Sequence, residues 1–228
     1  MAVLIPAAVL AAAGFVISSR MKFPSSSVPE AAAPSAAAAT NAPGLSSYFK
    51  TLNETNADIY TVQAGDTLTK ISKQYNVTVG LIASANSIKN DAIWPGMKLK
   101  IMKEHWNIVV DKTHFTLDLM AGGAVVKSYA VGLGKENSTP VGDFKIASRL
   151  KNPTWYHDGK VIPFGNPDNP LGTRWMGFDL KSYGVHGTIA PESIGKAESL
   201  GCIRMLNADV EELFELVPVG TNIRIVES

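Results

Sequence analysis

The chain has 228 residues, 46 % of them hydrophobic and 18 % charged, with a formal net charge of +1. That is an ordinary globular composition with room for one or two domains, and so even a charge balance leaves no electrostatic footprint for nucleic acid. A single cysteine, Cys202, excludes an intramolecular disulfide.

Met1 to Ile17 carry no charged side chain, and Arg20 and Lys22 follow. Residues 1–22 read as a signal peptide or a short membrane anchor, with Ala11-Ala12-Ala13 a candidate cleavage site. The chain is therefore expected to be exported, to the periplasm or cell envelope. Residues 23–57 are rich in Ala, Pro and Ser and poor in large apolar residues. Such a segment buries too little surface to offset its ordering entropy, so a flexible linker is expected.

Residues 58–103 are mildly basic and form the first module. Ile59-Tyr60-Thr61-Val62 alternates as a strand, and Gly65-Asp66-Thr67 breaks it with Asp66 placed to cap a helix. Leu68, Ile71 and Tyr75 follow at helical spacing; Thr78 caps a second helix with Leu81, Ile82 and Ala85 inward. Trp94-Pro95-Gly96 turns into the strand Lys98-Leu99-Lys100-Ile101. This strand–helix–helix–strand unit, with Tyr60-Thr61-Val62-Gln63-Ala64-Gly65-Asp66-Thr67-Leu68, Asn86 and Pro95-Gly96-Met97-Lys98-Leu99, resembles a LysM domain. The resemblance implies binding to N-acetylglucosamine-containing glycan strands through Asp66, Thr67, Leu68, Asn86 and Ile88. Asp66 as a cap and Leu68 as core are the competing structural roles.

Residues 105–228 are mildly acidic and form the second module. Strands are expected at Ile108-Val109-Val110, Phe115 to Leu119, Val125 to Tyr129, Gly142 to Ile146 and Asn222 to Val226. Ala121-Gly122-Gly123 makes a hairpin turn. One clear helix runs from Ala208 to Leu216, with Asn207 placed to cap it and Pro218 and Gly220 beyond its end. Many short strands with one helix predict a β-sandwich-like domain. The fold class expected for the chain is α+β, mostly β.

Long loops on a β scaffold are where sites form, and two of them carry His186-Gly187-Thr188 and Ser199-Leu200-Gly201-Cys202-Ile203-Arg204. A lone cysteine in an exported protein is an intermolecular link, a buried bystander or a working thiol. A thiolate attacks where a thiol does not, and a histidine within reach takes the proton and returns it to a leaving amine. Gly201 permits close approach, so backbone N–H groups at 201–202 could bind an oxyanion. Arg204 could hold a carboxylate. This chemistry needs neither metal nor cofactor, and no ligand cluster is visible. His105 and His114 read as surface or strand residues, whereas His157, after Trp155-Tyr156, could line a cleft.

Thr139-Pro140-Val141-Gly142-Asp143-Phe144, Asn152-Pro153-Thr154-Trp155, Asn169-Pro170-Leu171-Gly172-Thr173-Arg174-Trp175, His186-Gly187-Thr188 and the cysteine run together resemble the L,D-transpeptidase (YkuD-type) catalytic domain, over about Trp106 to Val226. The resemblance implies Cys202 as nucleophile, His186 as base and acid, Gly187 as the backbone group orienting the histidine, and Gly201 with Cys202 as oxyanion donors. Ser199 and Arg204 would shape and charge the site, with Tyr183, Trp155, Tyr156, Arg174 and Trp175 on the substrate side; core packing is the other role for the tryptophans. Leu200 stands where many members carry a second histidine, so that role is absent. The implied activity is a peptidoglycan L,D-transpeptidase acting on stem peptides. It would form a thioester, release D-alanine and transfer the acyl group to another stem, a lipoprotein or an amino acid. An L,D-carboxypeptidase and a protein that mainly binds peptidoglycan are the alternatives.

Overall fold

The structure, a computed structural model, describes residues 42–227. The expected leader or anchor, residues 1–22, and most of the expected linker lie outside the described residues. Among those described, no helix is long and apolar enough to cross a membrane. The end of the expected linker is corrected. Helix α1 (Leu45–Lys50) buries Phe49, and Leu52 just beyond it is also buried. The Ala/Pro/Ser average over 23–57 conceals the cluster Leu45, Tyr48, Phe49 and Leu52, whose spacing gives one apolar helical face. Tyr48 packs its ring on Trp106, with centroids 5.6 Å apart.

The first module follows the expected order: β1 (Ala57–Thr61), α2 (Leu68–Tyr75), α3 (Val79–Ala85) and β2 (Lys98–Met102). Strands β1 and β2 pair antiparallel, with Tyr60 opposite Leu99. The cap of α2 is Thr67, whose hydroxyl accepts from Lys70 N–H. Asp66 does not cap, because it accepts from the Tyr60 hydroxyl at 2.7 Å and from Gln63 N–H at 2.8 Å. Thr78 caps α3 as expected, accepting from Leu81 N–H at 2.9 Å. Val62, Leu68, Ile71, Ile82, Leu99 and Ile101 form a small core of their own.

The second module runs β3 (Asn107–Asp111), β4 (Thr116–Ala121), β5 (Ala124–Ala130), β6 (Leu133–Gly134), β7 (Gly142–Lys151), β8 (Trp155–His157), β9 (Lys160–Ile162), β10 (Arg174–Phe178), β11 (Gly184–His186), β12 (Ala197–Ser199), β13 (Ile203–Arg204), α4 (Asn207–Leu216) and β14 (Asn222–Val226). The mostly-β class stands. Eight strands form one mixed sheet in the order β13-β11-β10-β7-β14-β3-β4-β5, while β6–β12 and β8–β9 are separate two-stranded pairs. Alternate residues of β4 are buried, so Leu117, Leu119 and Ala121 face the core, where Val210, Leu213 and Phe214 of α4 also lie.

The two modules share that core. Leu81, Ala85 and Met102 of the first are buried in one cluster with Trp106, Ile108 and Leu216 of the second. The Thr78 hydroxyl donates to the Glu215 carbonyl of α4. A Cβ on Gly80 would stand 2.6 Å from that same carbonyl oxygen, so the seam closes only around a glycine.

Candidate active site

Strands β11 and β13 pair in parallel, with His186 opposite Arg204. Cys202 stands immediately before β13, two residues from Arg204. All three line one cavity of about 410 Å³, together with Trp155, Tyr156, His157, Trp175 and Tyr183.

The turn that presents Cys202 is fixed from several directions. The Ser199 hydroxyl donates to the Cys202 carbonyl at 2.6 Å and accepts from Gly201 N–H at 3.0 Å. Thr139 donates its hydroxyl to the Gly201 carbonyl at 3.0 Å and accepts from Gly134 N–H at 2.7 Å. Gly201 has φ 126°, and a Cβ there would stand 2.7 Å from the Tyr183 ring, so glycine is required on both counts. The thiol donates to the Ser182 carbonyl at 3.4 Å. Burial pushes its pKa above the ordinary thiol value, while the Gly184 N–H and the Arg204 charge act in the opposite direction.

His186 is 4 % exposed. Its Nδ1 lies 2.6 Å from the Gly187 carbonyl oxygen. A carbonyl only accepts, so Nδ1 holds the hydrogen and Nε2 holds the lone pair. Burial lowers the histidine pKa to about 4; the Gly187 carbonyl opposes that fall and Arg204 adds to it. Trp175 stacks on the imidazole, centroids 5.9 Å apart and planes 22° from parallel. The resting site therefore pairs a neutral thiol with a neutral imidazole whose basic nitrogen is defined by its backbone partner.

The structure redistributes several expected roles. Gly201 N–H donates to Ser199, which leaves Cys202 N–H as the remaining expected oxyanion donor. Ser199 lines the cavity, but its oxygen is engaged within its own turn. Arg174 does not line the cavity: it donates to the Thr173 carbonyl at 2.8 Å, sits 3.7 Å from Glu211 and lies over the Phe214 ring. Tyr183, Trp155, Tyr156 and Arg204 do line it. Trp155 is not core; it stacks on His157 at 5.1 Å on the cavity side. His105 is exposed, and His114 binds the Asp111 carboxylate at the surface. Asn207 is not the cap of α4; Leu206 holds that position, and the Asn207 carboxamide turns to the loops beside His186.

In the first module the expected glycan residues are occupied by the fold. Leu68 is 3 % exposed in the small core. Asn86 donates to the carbonyls of Ile82 and Lys100 and accepts from Lys100 N–H, which ties α3 to β2. Ile88 packs partly buried against the small core. The sequence reading missed the Ser182 carbonyl and Gly184 N–H beside the sulfur, because main-chain groups carry no residue signature. Among the described residues no group of three or more His, Cys, Asp or Glu could hold a metal ion.

Residues 105–225 match the family model of the L,D-transpeptidase catalytic domain (YkuD), and residues 60–101 match that of the LysM domain. The Bacillus subtilis (strain 168) protein YqjB, assigned by name to the L,D-transpeptidases, is 43 % identical over 126 residues, covering 53 % of this chain and 70 % of its own length. YkuD of the same organism, named likewise, is 34 % identical over 173 residues, covering 73 % of this chain and 97 % of its own length. Among solved structures, an L,D-transpeptidase from Mycobacterium smegmatis aligns with a TM-score of 0.46 at 18 % identity, over 57 % of this chain and 63 % of that one.

Proposed function

This chain belongs to the L,D-transpeptidase family, and we propose that it is an exported cell-wall acyltransferase that uses Cys202 as nucleophile and His186 as base and acid. The observation that carries the reading is the pairing of a cavity-lining thiol with an imidazole whose Nδ1–H is held by the Gly187 carbonyl. That hydrogen bond directs the Nε2 lone pair to the task of a base.

The step is an acyl transfer. Nε2 takes the thiol proton as sulfur attacks the carbonyl between the third stem residue and the terminal D-alanine. The oxygen that gains charge is met by Cys202 N–H, and Arg204 supplies a positive field in the same cavity. The C–N bond breaks, the imidazolium gives its proton to the departing amine, and D-alanine leaves. The thioester is then attacked by an acceptor amine, whose proton passes to His186 and returns to sulfur when the C–S bond breaks. Neutral resting groups suit this cycle, because the proton moves only once substrate is in place.

The acceptor is proposed to be the amine of a second stem, a lipoprotein or an amino acid. The first module is proposed to hold glycan strands. Because it shares a core with the second, it would present them at a fixed distance from the cavity rather than on a loose tether. Mass spectrometry of purified disaccharide-tetrapeptide after incubation with the full chain, beside Cys202→Ala, tests the reading. A dimer lighter by one D-alanine, absent with the variant, supports cross-linking. Tripeptide alone points to L,D-carboxypeptidase action or to another acceptor. No change in either sample would overturn the proposal in favour of a protein that mainly binds peptidoglycan.

A further inference from the structure

We propose that Asn207 is a positioning residue for His186, acting through the peptide group that joins Gly187 to Thr188. The inference rests on His186 serving as the general base. The carbonyl of that peptide accepts from His186 Nδ1 at 2.6 Å. The N–H of the same peptide donates to Asn207 Oδ1 at 3.2 Å. A peptide group is planar and rigid, so the atom that orients the imidazole and the atom held by Asn207 turn together.

The carboxamide has a second grip on each side. Its Nδ2 donates to the Thr188 carbonyl at 2.9 Å, and its Oδ1 also accepts from Thr173 N–H at 3.2 Å. It thus ties the loop after His186 to the loop before β10, from a helix that starts directly after the strand carrying Arg204. The packing gives independent support. A Cβ on either Gly172 or Gly187 would collide with Asn207 Oδ1, so both glycines make room for this one oxygen.

The arrangement meets a specific need. Among the described residues no carboxylate is bonded to the His186 ring; its Nδ1 partner is a main-chain carbonyl. A main-chain orienter is only as well placed as its peptide plane, and Asn207 fixes that plane. Hydrogen bonds in a chain polarise one another, so donation of the Thr188 N–H to Oδ1 makes the Gly187 oxygen a better acceptor for Nδ1–H as the imidazolium forms.

The test uses the full chain with ¹⁵N-labelled histidine. NMR reads which His186 nitrogen holds the hydrogen, and kinetics on disaccharide-tetrapeptide separates kcat from KM. Asn207→Ala is expected to lose the uniform Nδ1–H signature and to lower kcat by about 10- to 100-fold, the scale of a small misplacement of a reacting group, with KM little changed. Asn207→Asp keeps an oxygen for both N–H donors but loses the Nδ2 donor to the Thr188 carbonyl, and is expected to restore the Nδ1–H signature and part of kcat. Should the alanine chain fail to fold, Asn207→Ser, too short to bridge both loops, takes its place with the same expectation. A folded Asn207→Ala or Asn207→Ser chain with an unchanged tautomer and kcat would overturn the proposal, and so would a folded Asn207→Asp chain that recovers neither. Full transfer by His186→Gln would instead remove the general-base reading, while the NMR comparison of wild type with Asn207→Ala would still report on Asn207 alone.

Discussion

In the cavity, the groups that accept from Cys202 Sγ and His186 Nδ1 among the described residues are backbone carbonyls, of Ser182 and Gly187. Around Asp66 and Asn86 the fold itself engages polar atoms: one Asp66 oxygen accepts from Tyr60 and Gln63, and the Asn86 carboxamide bonds Ile82 and Lys100. Both regions are marked by motifs, but for different reasons. In the cavity the motif residues carry atoms available for chemistry. In the first module, Leu68 and Asn86 at least are motif residues because the small fold needs them, and any glycan contact at those positions must rest mainly on backbone and surface shape.

The largest effect that would sharpen this contrast is Cys202→Ala, which should lower transfer by at least about 10³-fold with the fold intact, as read by product mass spectrometry beside far-UV circular dichroism. His186→Gln should lower it by about 10²- to 10⁴-fold. The wild-type pH profile carries the same information. With its pKa lowered to about 4 from 6.5, His186 remains a base down to about pH 4, so kcat/KM should fall as pH drops through about 4 rather than through 6.5. Stability follows by linkage. Over that window the unfolded chain binds the proton first, so the contribution is whole above pH 6.5 and is lost as pH falls toward 4. Denaturant titrations of His186→Gln should show a flatter slope there.

In the first module the effects should fall on stability. Leu68→Ala should cost about 2–5 kcal/mol as a core truncation. Gly80→Val, forced against the Glu215 carbonyl, should cost about 1–3 kcal/mol and let the two modules tumble separately in ¹⁵N relaxation. Asn86→Ala should cost about 1–3 kcal/mol by leaving Lys100 N–H without its partner. Peptidoglycan retention by the folded fraction should hold. An Asn86→Ala protein with an unchanged Tm and lost retention would break the contrast, because the residue would then serve the glycan and not the fold.

Much of this was legible in local pattern. The alternation in Lys98 to Ile101 and in Ile108 to Val110 marked strands, and the spacing of Val210, Leu213 and Phe214 marked α4. The segments bearing His186 and Cys202 could be chosen from residue types alone, although His186 proves to end strand β11 and not to lie in a loop. The shared core could not, since Leu81 and Leu216 are distant in sequence and leave no periodic trace of their contact. Asp66 and Thr67 are adjacent and both are good caps; the Tyr60 hydroxyl decides between them. Asn207 looked like a cap because it stands where caps stand, and only the fold brings Thr173 and Thr188 to its side chain.

The proposed chemistry turns on a covalent bond to one sulfur. Acid-quenched intact-mass measurement of the full chain with disaccharide-tetrapeptide, followed by peptide mapping, tests it most directly. The expected result is a hydroxylamine-labile adduct on Cys202 equal to the substrate less D-alanine, with one D-alanine released per adduct. D-alanine released at the wild-type rate by Cys202→Ala would contradict it.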